Sequence, residues 1–287
     1  MLPFWLSIGC LSLLQGVIVA LPARVEAASM TRLRNGGWAI VLPASVVGFV
    51  VVAGAAERAS AQGLTYLALV AVPLLAALAL GALSRGGRPA AVALVPALFA
   101  LAWADHGALA GNLAATVLSA LSCVALGALL GAVTPSRWLA AGIVAMAIAD
   151  SALVVSDLLQ RPNNALNAAH PAAGLPQLQS AVIGSGVMGY GDLFIAAVLG
   201  GLLAAAGRPQ LPAAALTALL AVCFDLLFFL VDELPATVPV ALALIVLELR
   251  RRRRSARSPS TARPGGSEPA PAAARVRAPA GPRSPAR

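Results

Sequence analysis

The chain has 287 residues, 60% of them hydrophobic and only 11% charged, with mean hydropathy +0.87. No soluble globular domain has that balance, so the class is a polytopic membrane protein. The net charge of +9 sits at one end: residues 250–287 hold eleven arginines and one acid, Glu268, whereas residues 1–249 hold nine arginines and ten acids. The body is near neutral, so the high pI gives no reason to expect nucleic-acid binding.

A membrane span needs ~20 apolar residues. Nine stretches meet or approach that length: roughly 3–22, 38–55, 64–84, 89–104, 111–133, 138–159, 179–206, 212–231 and 235–249. The expected fold is therefore an all-α membrane helix bundle of about nine spans. The first stretch has no positive charge ahead of it and reads as a retained helix rather than a signal peptide. Abundant alanine and glycine in the spans favour close helix packing. Cys10, Cys123 and Cys223 all fall in apolar stretches without a CxxC spacing. They read as small buried hydrophobes, not as a disulfide framework.

The loops set an orientation. Arg24, Arg32 and Arg34 follow the first span, Arg85 and Arg88 the third, Arg137 the fifth, Arg208 the seventh and Arg250–Arg254 the ninth. The alternate loops carry little arginine. The positive-inside rule then puts the N-terminus outside and the tail in the cytoplasm, with the plasma membrane the expected location. Residues 160–178 contain Pro162, Asn163, Asn164, Asn167, His170, Pro171 and Pro176. That segment is too polar to span, so the sixth and seventh spans should be antiparallel neighbours joined outside. The Arg/Pro-rich tail, 250–287, lacks large apolar side chains over most of its length and is expected to be disordered.

Two spans carry aspartates deep within them. Asp150 lies ~18 Å into the sixth span, counted from Trp138 at 1.5 Å per residue. Counted inward from Gln179, Asp192 lies ~18–20 Å from the outer side. Both fall near the midplane of a core ~30 Å thick. A charge at that depth costs roughly 2.5 to more than 10 kcal/mol unless it is neutralised, paired or wet. Two carboxylates ~3 Å apart share a proton, so one can take a proton from water while the other donates to a carbonyl oxygen. That equipment suffices for peptide hydrolysis with no metal and no cofactor. Asp157 competes as a partner but lies near the outer end of its span. Asp225, in the eighth span, reads as a residue hydrogen-bonded to a neighbouring helix or facing a water cavity. Gly184, Gly186, Gly189 and Gly191 precede Asp192. They weaken the helix there, and exposed backbone at such a break can pair with an extended substrate.

Gly189-Tyr190-Gly191-Asp192 resembles the GxGD motif of intramembrane aspartyl proteases. Type IV prepilin peptidases share that motif but place further helices between their aspartates. The short, loop-broken separation of Asp150 and Asp192 is similar to the presenilin and signal peptide peptidase branch. Leu234-Pro235-Ala236-Thr237-Val238-Pro239 resembles that branch's PAL motif. Ala149 stands where the branch carries tyrosine, and Thr237 where it carries the PAL leucine. The resemblance implies a nine-span fold with Asp150 and Asp192 as catalytic residues. It also implies that Gly189, Tyr190, Gly191, Pro235, Ala236, Thr237 and Pro239 shape the active site. The implied activity is endoproteolysis of transmembrane or signal-peptide-like substrates within the bilayer. The expected division is one transmembrane unit, 1–249, with scaffold helices in 1–137 and catalytic helices in 138–249.

Three other readings use the same residues. They are a prepilin-peptidase-like protease, a proton-coupled transporter with relaying carboxylates, and a pseudoprotease that only binds membrane segments. Two features weigh against transport: no internal repeat relates the halves of the chain, and the first five spans carry almost no polar groups expected to be buried. Oligomeric state and substrate identity leave no mark on the sequence.

Overall fold

The computed structural model describes residues 3–26, 30, 32–55, 57–169, 171, 174–231 and 234–257. These contain ten α-helices and one β-hairpin. In chain order they are α1 (Phe4–Ala20), α2 (Val41–Ala55), α3 (Glu57–Leu78), α4 (Leu94–Ala104), α5 (Leu109–Val133), α6 (Ser136–Val155) and α7 (Gln160–Ala168). The hairpin follows as β1 (Ser180–Ile183) and β2 (Gly186–Gly189), then α8 (Tyr190–Ala205), α9 (Leu211–Asp225) and α10 (Thr237–Arg257). Short 3-10 turns at Gly36–Ile40 and Pro89–Ala93 lead into α2 and α4, and another at Leu226–Phe229 prolongs α9.

Four helical stretches are long and apolar enough to cross a membrane: Ala59–Leu83, Leu109–Val133, Ser136–Val155 and Leu211–Phe229. Phe4–Ala20, Gly36–Val52, Pro89–Ala104 and Tyr190–Ala205 are apolar but shorter. Large apolar side chains cover the outside of the bundle: Val51, Val52, Leu67, Val70, Leu74, Leu219 and Val222 are all exposed. In water such a surface would associate; against lipid tails it costs nothing.

Helix α8 is the buried axis, with every residue from Leu193 to Ala204 out of solvent. It packs on α5 by backbone contact. A Cβ on Gly127 would collide with the Ala197 carbonyl, and one on Gly131 with the Gly201 carbonyl. Small residues four apart on both helices allow this approach. On α8's other sides lie α1, α6 and α10, and α1 also packs against α9 through Gly16, which faces Ala214 and Ala218. A second apolar cluster, including Val72, Val95 and Leu118, joins α3 and α4 to α5.

Loops expected on one side do meet at one end of the bundle. Arg24, Arg85 and Arg208 line a common groove of about 540 Å³, and Arg208 pairs with Glu248. At the other end His106 approaches Gly174, and Thr116 bonds the backbone of Val182.

The structure corrects several expectations. Residues 179–206 are not one helix: a hairpin occupies 180–189, and the helix begins only at Tyr190. Gly184, with φ +59°, takes the first position of a two-residue turn, as a type II′ hairpin requires. β-branched Val182, Ile183 and Val187 suit the paired strands. The arginine run from Arg250 is not disordered from its start, because α10 continues through it to Arg257. The rest of the tail, 258–287, and His170 lie outside the described residues. Cys223 is exposed rather than buried, Cys10 is half-buried and Cys123 is buried. The early helices are not free of buried polar groups either. Ser7, Ser12 and Gln15 on α1, Thr65 on α3, and Thr116, Ser119 and Ser122 on α5 are all buried.

Candidate active site

Four helices bring polar groups to one level of the bundle. Along α6, Asp150 is fourteen residues from Ser136, or ~21 Å from the arginine-rich end. Asp192 lies at a matching height on α8, thirteen residues or ~20 Å before Ala205. Asp225 ends α9, ~21 Å from Leu211. Thr237 opens α10, ~18 Å before Leu249. The level that sequence depth alone assigned to Asp192 therefore needs a different account: it sits in the first turn of a helix, not in the middle of one.

The start of α8 explains the GxGD arrangement locally. Gly189 is the N-cap and Asp192 the third helical residue. The Gly189 backbone N–H donates to the Asp192 carboxylate, the reciprocal half of a capping box. A Cβ on Gly189 would lie 3.2 Å from Asp192 Oδ2, so glycine leaves room for the carboxylate to fold back. Gly191 is less constrained, since a Cβ there would meet only Met146 Cε at 3.8 Å. Tyr190 does not face the carboxylates. Its hydroxyl is 2.8 Å from Ser122 Oγ on α5, and its carbonyl accepts from Cys123 Sγ at 3.8 Å. Tyr190 therefore anchors the helix start instead of lining the site.

Asp150 is buried, and Asp192 is partly buried and close enough to it for their charges to interact. Asp150 Oδ2 accepts a 2.7 Å hydrogen bond from Thr237 Oγ1, and Thr237 is 1% exposed. Three segments distant in sequence thus converge: mid-α6, the start of α8 and the start of α10. The prolines shape the last of these. Pro235 precedes the helix, and its carbonyl accepts from the Val238 N–H at 3.1 Å. Pro239 falls in the first turn, where a missing N–H leaves no bond unmade. Asp157 stays apart: it is exposed beyond the end of α6, with φ 58°.

Helix α1 supplies two polar groups that the sequence reading passed over. Gln15 is fully buried and its Nε2 donates to the carbonyls of Ala236 at 2.8 Å and Asp192 at 3.3 Å. It ties the α10 entry to the α8 start. Ser12 Oγ donates to Asp225 Oδ2 at 2.6 Å. The available signal was polarity: a glutamine inside an otherwise apolar span needs a partner. Residues 1–137 and 138–249 therefore meet at this level of the bundle. A cleft of about 80 Å³ opens beside these groups, bounded by Gln15, Val187, Asp192, Phe224, Asp225 and Pro239 among others. A cavity needs at least ~10–15 Å³ to hold one water, and a water takes ~30 Å³ in the liquid, so the cleft has room for about two or three. Among the described residues no cluster of three or more His, Cys, Asp or Glu side chains offers a metal site.

Comparison of the chain with protein-family models, with curated proteins and with solved structures finds no match.

Proposed function

We propose that the protein is an intramembrane aspartyl endopeptidase in which Asp150 and Asp192 work as a pair. The observation that carries this reading is a convergence: two carboxylates from different helices come close enough for their charges to interact, and the proline-rich entry to α10 holds one of them through Thr237. An aspartate pair buried in an apolar bundle has no structural use that a hydrophobic pair would not serve at lower cost. We read the chain as nine spans with the N-terminus outside, the shorter apolar helices completing the bundle.

The chemistry needs one water and one proton. The ionised carboxylate takes a proton from water as its oxygen attacks the scissile carbonyl carbon. The protonated partner gives its proton to the carbonyl oxygen, forming a neutral tetrahedral adduct. As collapse breaks the C–N bond, the carboxyl group that took the proton of water gives it to the departing nitrogen, and a hydroxyl proton of the adduct returns to the partner, which restores the pair. Thr237 Oγ1 and the Gly189 N–H fix the two carboxylates, so little reorganisation accompanies the charge movement. A substrate helix must unwind to present its bond. The outer edge of β1 is engaged at Val182 by Thr116, whereas β2 pairs with no third strand among the described residues and borders the cleft through Val187 and Met188. An extended substrate segment pairing there meets Asp192.

Asp225 on the same cleft is the observation that favours a second reading, proton-coupled transport through relaying carboxylates. One experiment separates the two. Purified protein in detergent is incubated with a panel of model transmembrane peptides, and fragments are identified by mass spectrometry for wild type, Asp150→Ala and Asp192→Ala. Cleavage by wild type and loss in both variants is the expected result. Cleavage that survives either substitution removes that residue from the pair, and intact peptides throughout favour the transport reading.

A further inference from the structure

The polar side chains lining the cleft beside Asp192 offer acceptors, and their hydroxyl and amide protons are already engaged among the described residues. Asp225 is half-buried at its wall; Ser12 donates to its Oδ2, which leaves Oδ1 without a hydrogen bond among the described residues. Gln15 is fully buried and borders the same cleft, and its Oε1 has no hydrogen-bond partner among the described residues. Its amide orientation is set by two carbonyls, those of Asp192 and Ala236, which both require the nitrogen on their side. The Ser12 hydroxyl proton is already used. An acceptor left unpaired in a buried site is costly, so a group that brings donors is stabilised in this cleft.

The chain supplies no such group from its described residues. Their ion pairs are Arg24–Glu26, Arg208–Glu248 and Arg251–Glu248, and the groove at Arg24 and Arg208 is at the far end of the bundle. Phe224 and Phe228 also border the cleft, and aromatic faces attract cations once water is excluded. An ammonium or guanidinium carries donors and no acceptor, which complements Oδ1 of Asp225 and Oε1 of Gln15.

We propose that this cleft is a cation subsite, in which Asp225 and Gln15 receive a lysine or arginine side chain of a transmembrane substrate close to the bond presented to Asp192. The inference rests on the proteolytic reading for its substrate, though not for its binding chemistry. A basic residue within a membrane segment is expensive to hold in lipid. A protein that offers it a carboxylate selects such segments from an excess of purely apolar ones. The specificity then comes from a charge that only one class of substrate satisfies.

The test uses the full chain in detergent and fluorescent transmembrane peptides that differ at one scanned position by lysine, norleucine or glutamate. Binding is titrated by anisotropy. At one or two positions, wild type should bind the lysine peptide at least tenfold more tightly than the norleucine peptide and the glutamate peptide most weakly. Asp225→Asn should bring the lysine-to-norleucine ratio to about one. Ser12→Ala keeps the charge and frees the second carboxylate oxygen, so the ratio should hold or rise; this variant covers the case in which Asp225→Asn fails to fold. A wild-type ratio near one at every position, a ratio unchanged in Asp225→Asn, or a ratio lost in Ser12→Ala overturns the proposal. Cleavage is followed in the same samples. Selective binding without cleavage keeps the subsite and removes the protease reading, and cleavage without selectivity does the reverse.

Discussion

Replacing Thr237 by valine removes one hydroxyl and little else. The side chain is 1% exposed, and its Oγ1 donates the 2.7 Å bond to Asp150 Oδ2. Valine has nearly the same shape, so packing is retained while the carboxylate loses its donor. A hydrogen bond to a charged group contributes ~1.5–3 kcal/mol. At about 1.4 kcal/mol per factor of ten, that loss slows turnover roughly 10- to 150-fold if it is felt in the transition state. Thr237 holds a carboxylate rather than substrate, so the fall should appear in kcat with KM little changed. Thr237→Ser keeps the hydroxyl and should stay within about threefold of wild type. The assay is steady-state cleavage of a transmembrane peptide in detergent, with thermal unfolding run alongside. Full activity in Thr237→Val refutes the argument, as does an equal loss in Thr237→Ser.

Other consequences follow from the same geometry. Gly189→Ala places a Cβ 3.2 Å from Asp192 Oδ2, whereas at Gly191 the nearest atom is 3.8 Å away. Displacing a catalytic group by a fraction of an ångström costs roughly tenfold or more, so Gly189→Ala should lose cleavage and Gly191→Ala should largely keep it. Gly127→Leu or Gly131→Leu drives a side chain into the backbone of α8, and thermal unfolding should show destabilisation of ~3 kcal/mol or loss of folded protein. Asp157→Asn should change neither cleavage nor stability by more than about 0.5 kcal/mol, because the residue is exposed and asparagine tolerates its positive φ.

Much of the helical plan was legible because apolar run length and loop arginines are one-dimensional signals. Asp150 stood out for the same reason, as a carboxylate well inside a long apolar helix. The hairpin at 180–189 was only half legible. The glycines announced a weak helix, but apolar side chains suit a buried strand as well as a span, and the choice was made by pairing across Gly184. The error moved Asp192 from mid-helix to a helix start, where its capping bond to Gly189 lies. Gln15 and Ser12 were missed for a different reason. A single polar residue in a span has no period, and its partners, 177 and 213 residues away, cannot be read from local sequence. Thr237 read as a departure from a motif; in the structure it is the residue that holds Asp150.

The most direct test of the central claim compares cleavage rates of Asp150→Asn, Asp192→Asn and the double variant, each shown to be folded. Groups that act as one unit lose nearly everything when either is removed. The account predicts that each single variant falls as far as the double. Losses that multiply from the singles to the double, or a single variant that keeps wild-type cleavage, contradict a shared aspartate pair.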